Sequence, residues 1–424
     1  MSRKSNLWYK VAALILVLVL IVPILVACGG GEKTPTATAI ITPTATATAT
    51  PTATPASGKP VKIGVIQDWS GPGAMAGVLT DGMLTFLEWY YNEKQGGILG
   101  GRPIKFVKCD MQGQVAIAAA CAKKLAIEEK VSIITEGGTD PAHAYPICEV
   151  TDPLKVPFVS FTGDPQTTAD YKWTAQASYN VNGKLQLANN IIIQVLKPKT
   201  VAYFASDTLL GRDYIRPIKE KLEAAGIKTV YEMYQPQGIT DLSPYLTKIK
   251  YEAPDLLVTS LSSQEVYGRL AKQIMELGGW GDMKHMALQE HAISDFIRVM
   301  PGAAGWYAPS MYAPGRSDQP GPKAFEEAWR EKFEKDPSWG GKYSFGKPVP
   351  NVNHGFFHNC LTMAITAIEL AGTDDPAAVA EVLRSGKLEF DSAWGHIKVD
   401  TNGETNAVGL FWQIQKGGGL VEVK

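Results

Sequence analysis

Residues 61–66 read VKIGVI, and residues 70–73 read SGPG. The first segment is a short apolar run, and the second is a turn that combines glycine with proline. Helical spacing follows as far as about Asn92, with Met83, Leu84 and Leu87 on one face. A short strand, a glycine turn and a long helix in this order predict the opening unit of an α/β fold.

The same alternation continues along the chain in two sets. The first set continues with predicted strands at 104–107, 131–135 and 156–160 and helices at 115–129 and from about 140. The second set has predicted strands at 200–205, 228–234 and 255–260 and helices at 213–225, 245–250 and 264–277. Strands that alternate with helices indicate parallel sheets covered by helices on both faces. The prediction is therefore an α/β protein with two lobes and a cleft between them.

Near the end of the chain, Asn402-Gly403 separates two further apolar runs, 397–399 and 409–412. Asn-Gly between such runs is a strong hairpin signal. The sequence therefore predicts that these two runs pair with each other.

The composition is that of a globular chain without a nucleic-acid partner. The 424 residues are 45% hydrophobic and 20% charged, which is close to the globular average. Lys and Arg number 41 and Asp and Glu 42, so the formal net charge is −1. Binding to nucleic-acid phosphates requires a basic surface, which this balance does not provide.

The first 28 residues have the pattern of a lipoprotein signal peptide. Arg3, Lys4 and Lys10 precede an apolar run at 11–26, which is short for a membrane span of about 20 residues and typical of a secretory signal. Leu-Val-Ala-Cys at 25–28 resembles the lipobox of bacterial lipoproteins. In that resemblance, Cys28 carries the lipid and begins the mature chain; the alternative is a plain N-terminal membrane anchor.

Residues 29–58 are predicted to form a disordered tether. From Thr34 to Ala56 the chain contains only Thr, Ala, Pro and the pair Ile40-Ile41. So little apolar volume combined with so much proline cannot form a packed core. The segment is therefore interpreted as a spacer between the membrane and the folded part.

From Lys59 to the end, the order of segments is similar to that of type I periplasmic binding proteins, in particular the branched-chain amino-acid receptors of ABC importers. The resemblance rests on the order and spacing of short motifs, which are Ile63-Gly64-Val65, Ser70-Gly71-Pro72, Asn92 to Gly101, Arg102-Pro103-Ile104, Val156 to Ser160, Asp241 to Pro244, Leu246 to Lys250 and Gly395-His396-Ile397.

The resemblance implies two lobes joined by three crossings, near Ser178, Pro309 and Trp394. Lobe one would comprise 59–178 plus 309–394, and lobe two 179–308 plus 395–424. The ligand would lie between the lobes, beside the carboxyl ends of the strands. This position agrees with the general rule for open α/β sheets.

The resemblance also implies a set of ligand-binding positions. In lobe one these are Trp69, Ser70, Gly138, Thr139, Thr162, Gly163 and Asp164, and in lobe two Leu210, Ser262 and Glu290. Thr139 would donate to a ligand carboxylate, Trp69 would form an apolar wall, and Glu290 would hold a ligand ammonium.

Two of these positions depart from the family pattern. Leu210 stands where the family often has a tyrosine, and Asp164 stands where it often has a neutral hydroxyl residue. A fixed negative charge repels a carboxylate ligand unless it is turned away or paired. An amino acid other than leucine, an aromatic acid or an amide therefore remains open as the ligand.

The cysteines beyond Cys28 form no Cys-x-x-Cys pair, which disfavours zinc and thioredoxin chemistry. Outside the cytoplasm a disulfide can form. Cys121 and Cys148 fall on consecutive predicted helices of one sheet face, so these two are the predicted pair, with four buried free thiols as the alternative.

Other patterns point away from cofactors, metals and catalysis. Gly71-x-Gly73-x-x-x-Gly77 imitates a dinucleotide loop but is a weak signal. His354 and His358 have zinc-like spacing without a third ligand, which favours a packed or surface pair. There is no Gly-x-Ser-x-Gly elbow, and Asp140 is interpreted as the cap of a helix that begins at Pro141.

These observations predict a non-enzymatic, lipid-anchored receptor on the extracytoplasmic face of a bacterial membrane. It would bind a small polar molecule and deliver it to the permease subunits of an ABC importer. The alternative is a sensor of the same fold that presents its ligand state to a membrane receptor.

Overall fold

The computed structural model describes residues 55–71, 73–136, 141–314, 319–407 and 409–423, which belong to one compact unit. The predicted signal peptide, Cys28 and the tether as far as residue 54 lie outside the described residues. Gly138 and Thr139 also lie outside them.

The strands alternate with helices over most of the described chain. In chain order they are β1 (Val61–Gln67), β2 (Ile104–Asp110), β3 (Ile133–Glu136), β4 (Phe158–Ser160), β5 (Thr174–Gln176), β6 (Thr200–Ser206), β7 (Lys228–Gln235), β8 (Leu256–Ser260), β9 (Lys284–Ala287), β10 (Tyr307–Pro309), β11 (Glu389–Ser392), β12 (Gly395–Lys398), β13 (Phe411–Ile414) and β14 (Leu420–Val423).

The helices surround the strands. They are α1 (Ala74–Trp89), α2 (Val115–Lys123), α3 (Pro141–Leu154), α4 (Gln166–Asp170), α5 (Val181–Asn190), α6 (Leu209–Ala224), α7 (Ser243–Glu252), α8 (Gln264–Glu276), α9 (Asp295–Arg298), α10 (Pro320–Lys335), α11 (Pro337–Tyr343), α12 (Val352–Ala371) and α13 (Pro376–Leu383). Helices α1, α2 and α5 continue directly into π-helical turns at Tyr90–Lys94, Lys124–Glu129 and Ile191–Leu196.

The first sheet is five-stranded and parallel, in the order β2-β1-β3-β4-β5. Strand β1 pairs on both sides, with Ile63 opposite Phe106 in β2 and Ile133 in β3. Its residues are almost all buried, which explains why the segment 61–66 is rich in apolar residues. The fold predicted from that run, an α/β protein with parallel sheets flanked by helices, is confirmed.

The second sheet is seven-stranded, in the order β14-β13-β10-β9-β8-β6-β7. Strands β6 to β10 pair in parallel, and β13 and β14 add an antiparallel edge. Buried apolar side chains fill both faces of each large sheet. Two sheets with separate cores account for the two lobes.

The core of lobe one also takes a long segment from the second half of the chain. Phe86 on α1 contacts Phe325 and Trp329 on α10 and Trp339 on α11, at ring-centre distances of 5.7, 5.1 and 6.4 Å. Burying an apolar side chain of the size of Phe86 stabilises the fold by roughly 1.5–3 kcal/mol. Helices α10 to α12 therefore belong to the lobe built around the first sheet.

The chain passes from this core to the second sheet and back near the first two predicted crossings. Tyr179 is part of the lobe-one core, whereas α5 packs on the second sheet. Strand β10 lies in the second sheet, and Met311 and Tyr312 return to the lobe-one core.

The third crossing lies later than Trp394. Strand β12 pairs with β11, and Ile397, Val399 and Ala407 are buried in the lobe-one core. The chain reaches the second sheet only at Phe411. Residues 395–407 were predicted in lobe two and are found with lobe one, because the apolar side chains of this segment are buried there.

The predicted hairpin around Asn402-Gly403 is also corrected. A turn does form, since the Gly403 N–H donates to the Asp400 carbonyl oxygen at 3.0 Å and Gly403 has a φ of +75°. Beyond one bridge between Val399 and Thr405, however, the two flanking runs join different sheets. The turn therefore lies at the third crossing.

The predicted disulfide between Cys121 and Cys148 is wrong. Cys109 at the end of β2 bonds Cys121 on α2, with 5.5 Å between their Cα atoms. The turn after β2 folds α2 back along the strand and brings Cys121 over Cys109. Cys148 is a buried free thiol that accepts a hydrogen bond from Thr174 Oγ1 at 3.4 Å, and burial raises its pKa to about 12.

In the ranges of the chain described above, no helix combines the length and the apolar character needed to cross a membrane.

The disulfide is expected to stabilise lobe one. In peptide mapping without reduction, Cys109 should be linked to Cys121, and Cys148 should be alkylated after denaturation. Because the bridge closes a short loop, the double variant Cys109→Ser/Cys121→Ser should lose about 3 kcal/mol of stability against urea. A reducing agent should lower the melting temperature of the wild type and leave that of the double variant unchanged; equal responses would contradict the assignment.

Candidate functional site

A cleft of about 500 Å³ lies between the two lobes. The carboxyl ends of β1, β2, β6, β7 and β8 open into it, which is where open α/β sheets bind ligands. Its described lining is Gln67, Asp68, Gly73, Ala76, Leu79, Met111, Gly113, His143, Thr208, Gln237, Gly238, Ser262, Ser263, Gln264, Glu265, Val266, Arg269, Glu290, His291, Asn353, Phe356 and Phe357.

The lobe-one wall begins immediately after β1. The Gln67 side chain accepts a hydrogen bond from the Asp68 N–H at 2.7 Å and donates to Thr80 Oγ1 at 3.1 Å. Asp68 Oδ1 accepts from the Gly113 N–H at 2.5 Å, and burial raises the pKa of its carboxyl. These bonds connect the end of β1 to the loop after β2, so both loops form one wall.

Trp69 and Ser70, two predicted binding residues, stabilise this wall through hydrogen bonds within lobe one. The Trp69 N–H donates to Asp110 Oδ1 at 2.9 Å, and the Ser70 hydroxyl donates to Asp110 Oδ2 at 2.6 Å. The Trp69 indole donates to Asp81 Oδ1 at 2.7 Å, and its ring lies 4.8 Å from the Lys108 ammonium. Their side chains therefore hold the turn after β1 and are not part of the described lining.

Thr162, Gly163 and Asp164 follow β4, and their polar groups bond within lobe one. Gln176 accepts from the Gly163 N–H at 3.1 Å and donates to Thr162 Oγ1 at 3.3 Å. Asp164 Oδ2 accepts from the Tyr145 hydroxyl at 2.7 Å. The anion at Asp164 is thus paired within its own lobe and lies outside the described cleft lining.

The lobe-two wall consists of the starts of two helices. Thr208 Oγ1 accepts from the Gly211 N–H at 3.0 Å and caps α6, and Ser263 Oγ accepts from the Val266 N–H at 3.4 Å and caps α8. Ser262 lies in the cleft lining, and its N–H donates to Ser206 Oγ at 3.0 Å. Leu210, by contrast, is buried in the core of lobe two.

Glu290 is the most deeply placed acid of the lining. It begins the 3₁₀ turn after β9 and is 6% exposed. Among the described residues, its Oε1 has no hydrogen-bond partner. The Lys184 ammonium lies 3.7 Å from this oxygen. Burial raises the pKa of Glu290 and lowers that of Lys184. The attraction between the two charges lowers the pKa of Glu290 and raises that of Lys184.

Several lining residues were not identified in the sequence. Asn353, Phe356 and Phe357 come from α12, a helix that the strand–helix alternation did not predict. The capping box at its start, between Asn351 and His354, is a signal that could have located it. Asn353 Nδ2 donates to Gln264 Oε1 at 3.4 Å and so joins α12 to α8 across the cleft.

The histidines of α12 are packed. His354 is fully buried with its ring 4.4 Å from that of Trp329, and the His358 ring lies 4.3 Å from that of Phe325. Burial lowers the pKa of each to about 3. Within the described ranges, no group of three His, Cys, Asp or Glu side chains is arranged to hold a metal ion.

Two α/β lobes that face each other across a cleft define a two-lobed binding protein. The family model described as "Periplasmic binding protein" matches residues 60–419. The chain therefore belongs to the periplasmic binding protein family, and its fold is that of type I members.

Relatives cover most of the chain at low identity. The leucine-, isoleucine-, valine-, threonine- and alanine-binding protein of Pseudomonas aeruginosa is 23% identical over 81% of this chain and 87% of its own length. The leucine-binding protein of Thermotoga maritima has a TM-score of 0.71 at 22% identity, and the match covers 86% of this chain and 98% of that protein. A solute-binding protein of an ABC transporter from Rhodopseudomonas palustris was solved with 3,4-dihydroxybenzoic acid. It has a TM-score of 0.72 at 20% identity, and the match covers 85% of this chain and 96% of that protein.

The start of α6 offers a test of how tightly the cleft wall is built. A Cβ atom on Gly211 would lie 2.1 Å from the Ser206 carbonyl oxygen, so Gly211→Ala should displace the Thr208 turn and destabilise the fold by about 1–3 kcal/mol. Gly183→Ala on α5 is the matched control, because no described atom lies within 4 Å of its Cβ position, and it should stabilise by about 0.5–1 kcal/mol. Urea unfolding of both variants checks the opposite signs; equal effects would contradict the geometry.

Proposed function

We propose that this protein is a lipid-anchored receptor on the extracytoplasmic face of a bacterial cell membrane. It captures a small polar ligand, an amino acid or a related carboxylate or amide, between its lobes and delivers it to an ABC importer. The observation that carries the proposal is the cleft itself, which is lined from both lobes and contains a buried carboxyl oxygen of Glu290 without a hydrogen-bond partner among the described residues.

The helix starts around the cleft support a carboxylate-bearing ligand. Gly73 precedes α1, and Thr208 and Ser263 precede α6 and α8, so these helices present their first turns to the cleft. The first N–H groups of a helix lack partners within the helix, and the helix dipole favours an anion there. Glu290 would accept a hydrogen bond from a donor group elsewhere on the same ligand.

The relatives support the same ligand class. The names of two relatives state that they bind leucine, and the Rhodopseudomonas palustris protein was solved with a dihydroxybenzoic acid. All of these ligands are small molecules with a carboxyl group. Apolar side chains of the cleft, among them Phe356 and Phe357, provide a surface for the remainder of such a ligand.

Lobe closure would couple binding to delivery. The lobes are connected by crossing segments near Ser178, near Ser310 and between Ala407 and Phe411, and such hinges absorb the rotation when two domains close on a ligand. A ligand that contacts both walls binds the closed arrangement better and shifts the population towards it. The bond from Asn353 to Gln264 is a contact between the two walls.

The N-terminal pattern supports membrane anchoring. Leu-Val-Ala-Cys at 25–28 follows a short apolar run, and a Thr/Ala/Pro segment separates Cys28 from the family match at residue 60. A diacylated cysteine supplies two chains, which is what stable anchoring requires.

A thermal-shift screen of amino acids, aromatic acids, amides and polyols tests the ligand class. A ligand that binds only the native state raises the melting temperature according to its concentration relative to Kd. Shifts with members of the first three groups and none with polyols are expected. A shift with polyols alone would contradict the proposed class.

The same ligand then tests Glu290. Losing a hydrogen bond to a charged group costs about 1.5–3 kcal/mol, so Glu290→Ala should weaken binding by at least about tenfold in calorimetry. Glu220→Ala is the control, because Glu220 on α6 is exposed and lies outside the described lining, and it should change Kd less than about threefold. An unchanged Kd in Glu290→Ala would remove Glu290 from the site.

Replacing the proposed lipid acceptor tests the anchor. The Cys28→Ser variant should lose incorporation of labelled fatty acid and leave the detergent-extracted membrane fraction of the expressing cells. Cys148→Ser is the control, since Cys148 is buried in the folded part and should not affect labelling. Undiminished labelling of Cys28→Ser would contradict lipidation at this residue.

A further inference from the structure

A fully buried lysine lies beside the cleft. Lys184 on α5 has no exposed surface, and its ammonium donates to Tyr179 Oη at 3.0 Å, Tyr214 Oη at 3.1 Å and the Leu288 carbonyl oxygen at 3.0 Å. Its Nζ also lies 4.6 and 4.2 Å from the two tyrosine ring centres. Three acceptors and two aromatic faces match the three hydrogens and the charge of an ammonium group.

The same lysine faces the buried acid of the cleft. Its Nζ is 3.7 Å from Glu290 Oε1, close enough for strong attraction but beyond hydrogen-bond distance. Because its three hydrogens are already donated elsewhere, Lys184 compensates the charge of Glu290 without filling the hydrogen-bonding capacity of that oxygen. Lys184 is not exposed, so it acts on a ligand only through Glu290 and through its field.

We propose that Lys184 is the internal counter-ion of Glu290, and that its charge shifts the selectivity of the cleft away from ligands that meet Glu290 with an ammonium group and towards ligands that meet it with an uncharged hydroxyl or amide donor. The inference rests on the proposed function, because it refines the ligand class of the same cleft. A neutral donor completes the hydrogen bonding of Glu290 Oε1 without adding a second positive charge beside Lys184.

The expected selectivity follows from the distances. A ligand nitrogen bonded to Glu290 Oε1 lies about 2.8 Å from it and therefore within about 6.5 Å of the Lys184 ammonium. With an effective dielectric constant of about 20, repulsion between two positive charges at that distance weakens binding roughly 10- to 100-fold. This factor is the predicted contribution of Lys184 to discrimination between the two donors.

Other charged or titratable side chains also line the cleft. Asp68 is bonded to the Gly113 N–H, Glu265 is exposed, and the Arg269 guanidinium donates to the Ile239 carbonyl oxygen at 2.5 Å. His143 and His291 complete the set, and burial lowers the pKa of His291 to about 4. These five side chains are unchanged in a Lys184 variant. The difference in binding between that variant and the wild type therefore reports the effect of the lysine charge.

Melting temperatures of the full-length protein without ligand test the ion pair. Removing either partner leaves an uncompensated buried charge, so Glu290→Gln and Lys184→Met should each lower the melting temperature. The double variant should melt higher than the less stable single variant. Lys184→Met with Glu265→Gln is the control, and there the two effects should add. Additive effects of Lys184→Met and Glu290→Gln, or an unchanged melting temperature in Glu290→Gln, would overturn the pair.

If Lys184→Met does not fold but the double variant does, the pair is supported, because the second substitution removes the carboxylate that the first had left uncompensated. If neither Lys184→Met nor the double variant folds, the melting temperature of Glu290→Gln alone tests the ion pair. A lower melting temperature supports the pair, because removing the carboxylate then leaves the buried charge of Lys184 uncompensated.

Calorimetry with matched probes tests the selectivity. The probes are L-leucine against 2-hydroxy-4-methylpentanoate and L-phenylalanine against 3-phenyllactate, which differ only in an ammonium or a hydroxyl group. Lys184→Met should lower the ratio of the amino-acid Kd to the hydroxy-acid Kd at least about tenfold, because it removes the positive charge that repels the ligand ammonium. A ratio that is unchanged or raised in Lys184→Met would overturn the selectivity.

The two experiments separate this inference from the proposed function. Coupling between positions 184 and 290 with no binding of any probe would retain Lys184 as the counter-ion and contradict the proposed ligand class. Binding of the probes without coupling would support the proposed function and overturn the role of Lys184.

Discussion

The parallel direction of the strands is the constraint on which the site depends. In the first sheet β1 lies between β2 and β3, and in the second β8 lies between β6 and β9, all in parallel. Parallel strands bring their carboxyl ends to one edge, so residues far apart in sequence, such as Asp68 and Met111, meet without a dedicated motif. The cleft is thus a consequence of topology, and its chemistry depends on which side chains follow each strand.

That relation also explains what the sequence could predict. The segments 61–66 and 256–260 are rich in apolar residues because parallel strands are buried on both faces, so the sheets were recognisable. Glu290 and Ser262 were identified through resemblance to a family, and both line the cleft. Phe356 was missed because α12 reaches lobe one through long-range packing, which local periodicity does not encode.

The corrections have a common physical cause. Periodicity and turn signals report the local conformation, such as the turn at Gly403, but not the partner of each flanking segment. The pairing of Cys121 depended in the same way on how sharply the chain reverses after β2. Asp164 was expected to repel a ligand carboxylate unless it is turned away or paired, and the hydroxyl of Tyr145 on α3 donates a hydrogen bond to it. Each outcome was determined by tertiary contacts.

The disulfide also affects the cost of ordering the cleft. The bridge from Cys109 to Cys121 encloses the loop that places Met111 and Gly113 in the wall. A loop that is already restrained has few conformations to lose when a ligand arrives, so less of the interaction energy is consumed in immobilising it. This part of the lobe-one wall is therefore preorganised before a ligand arrives.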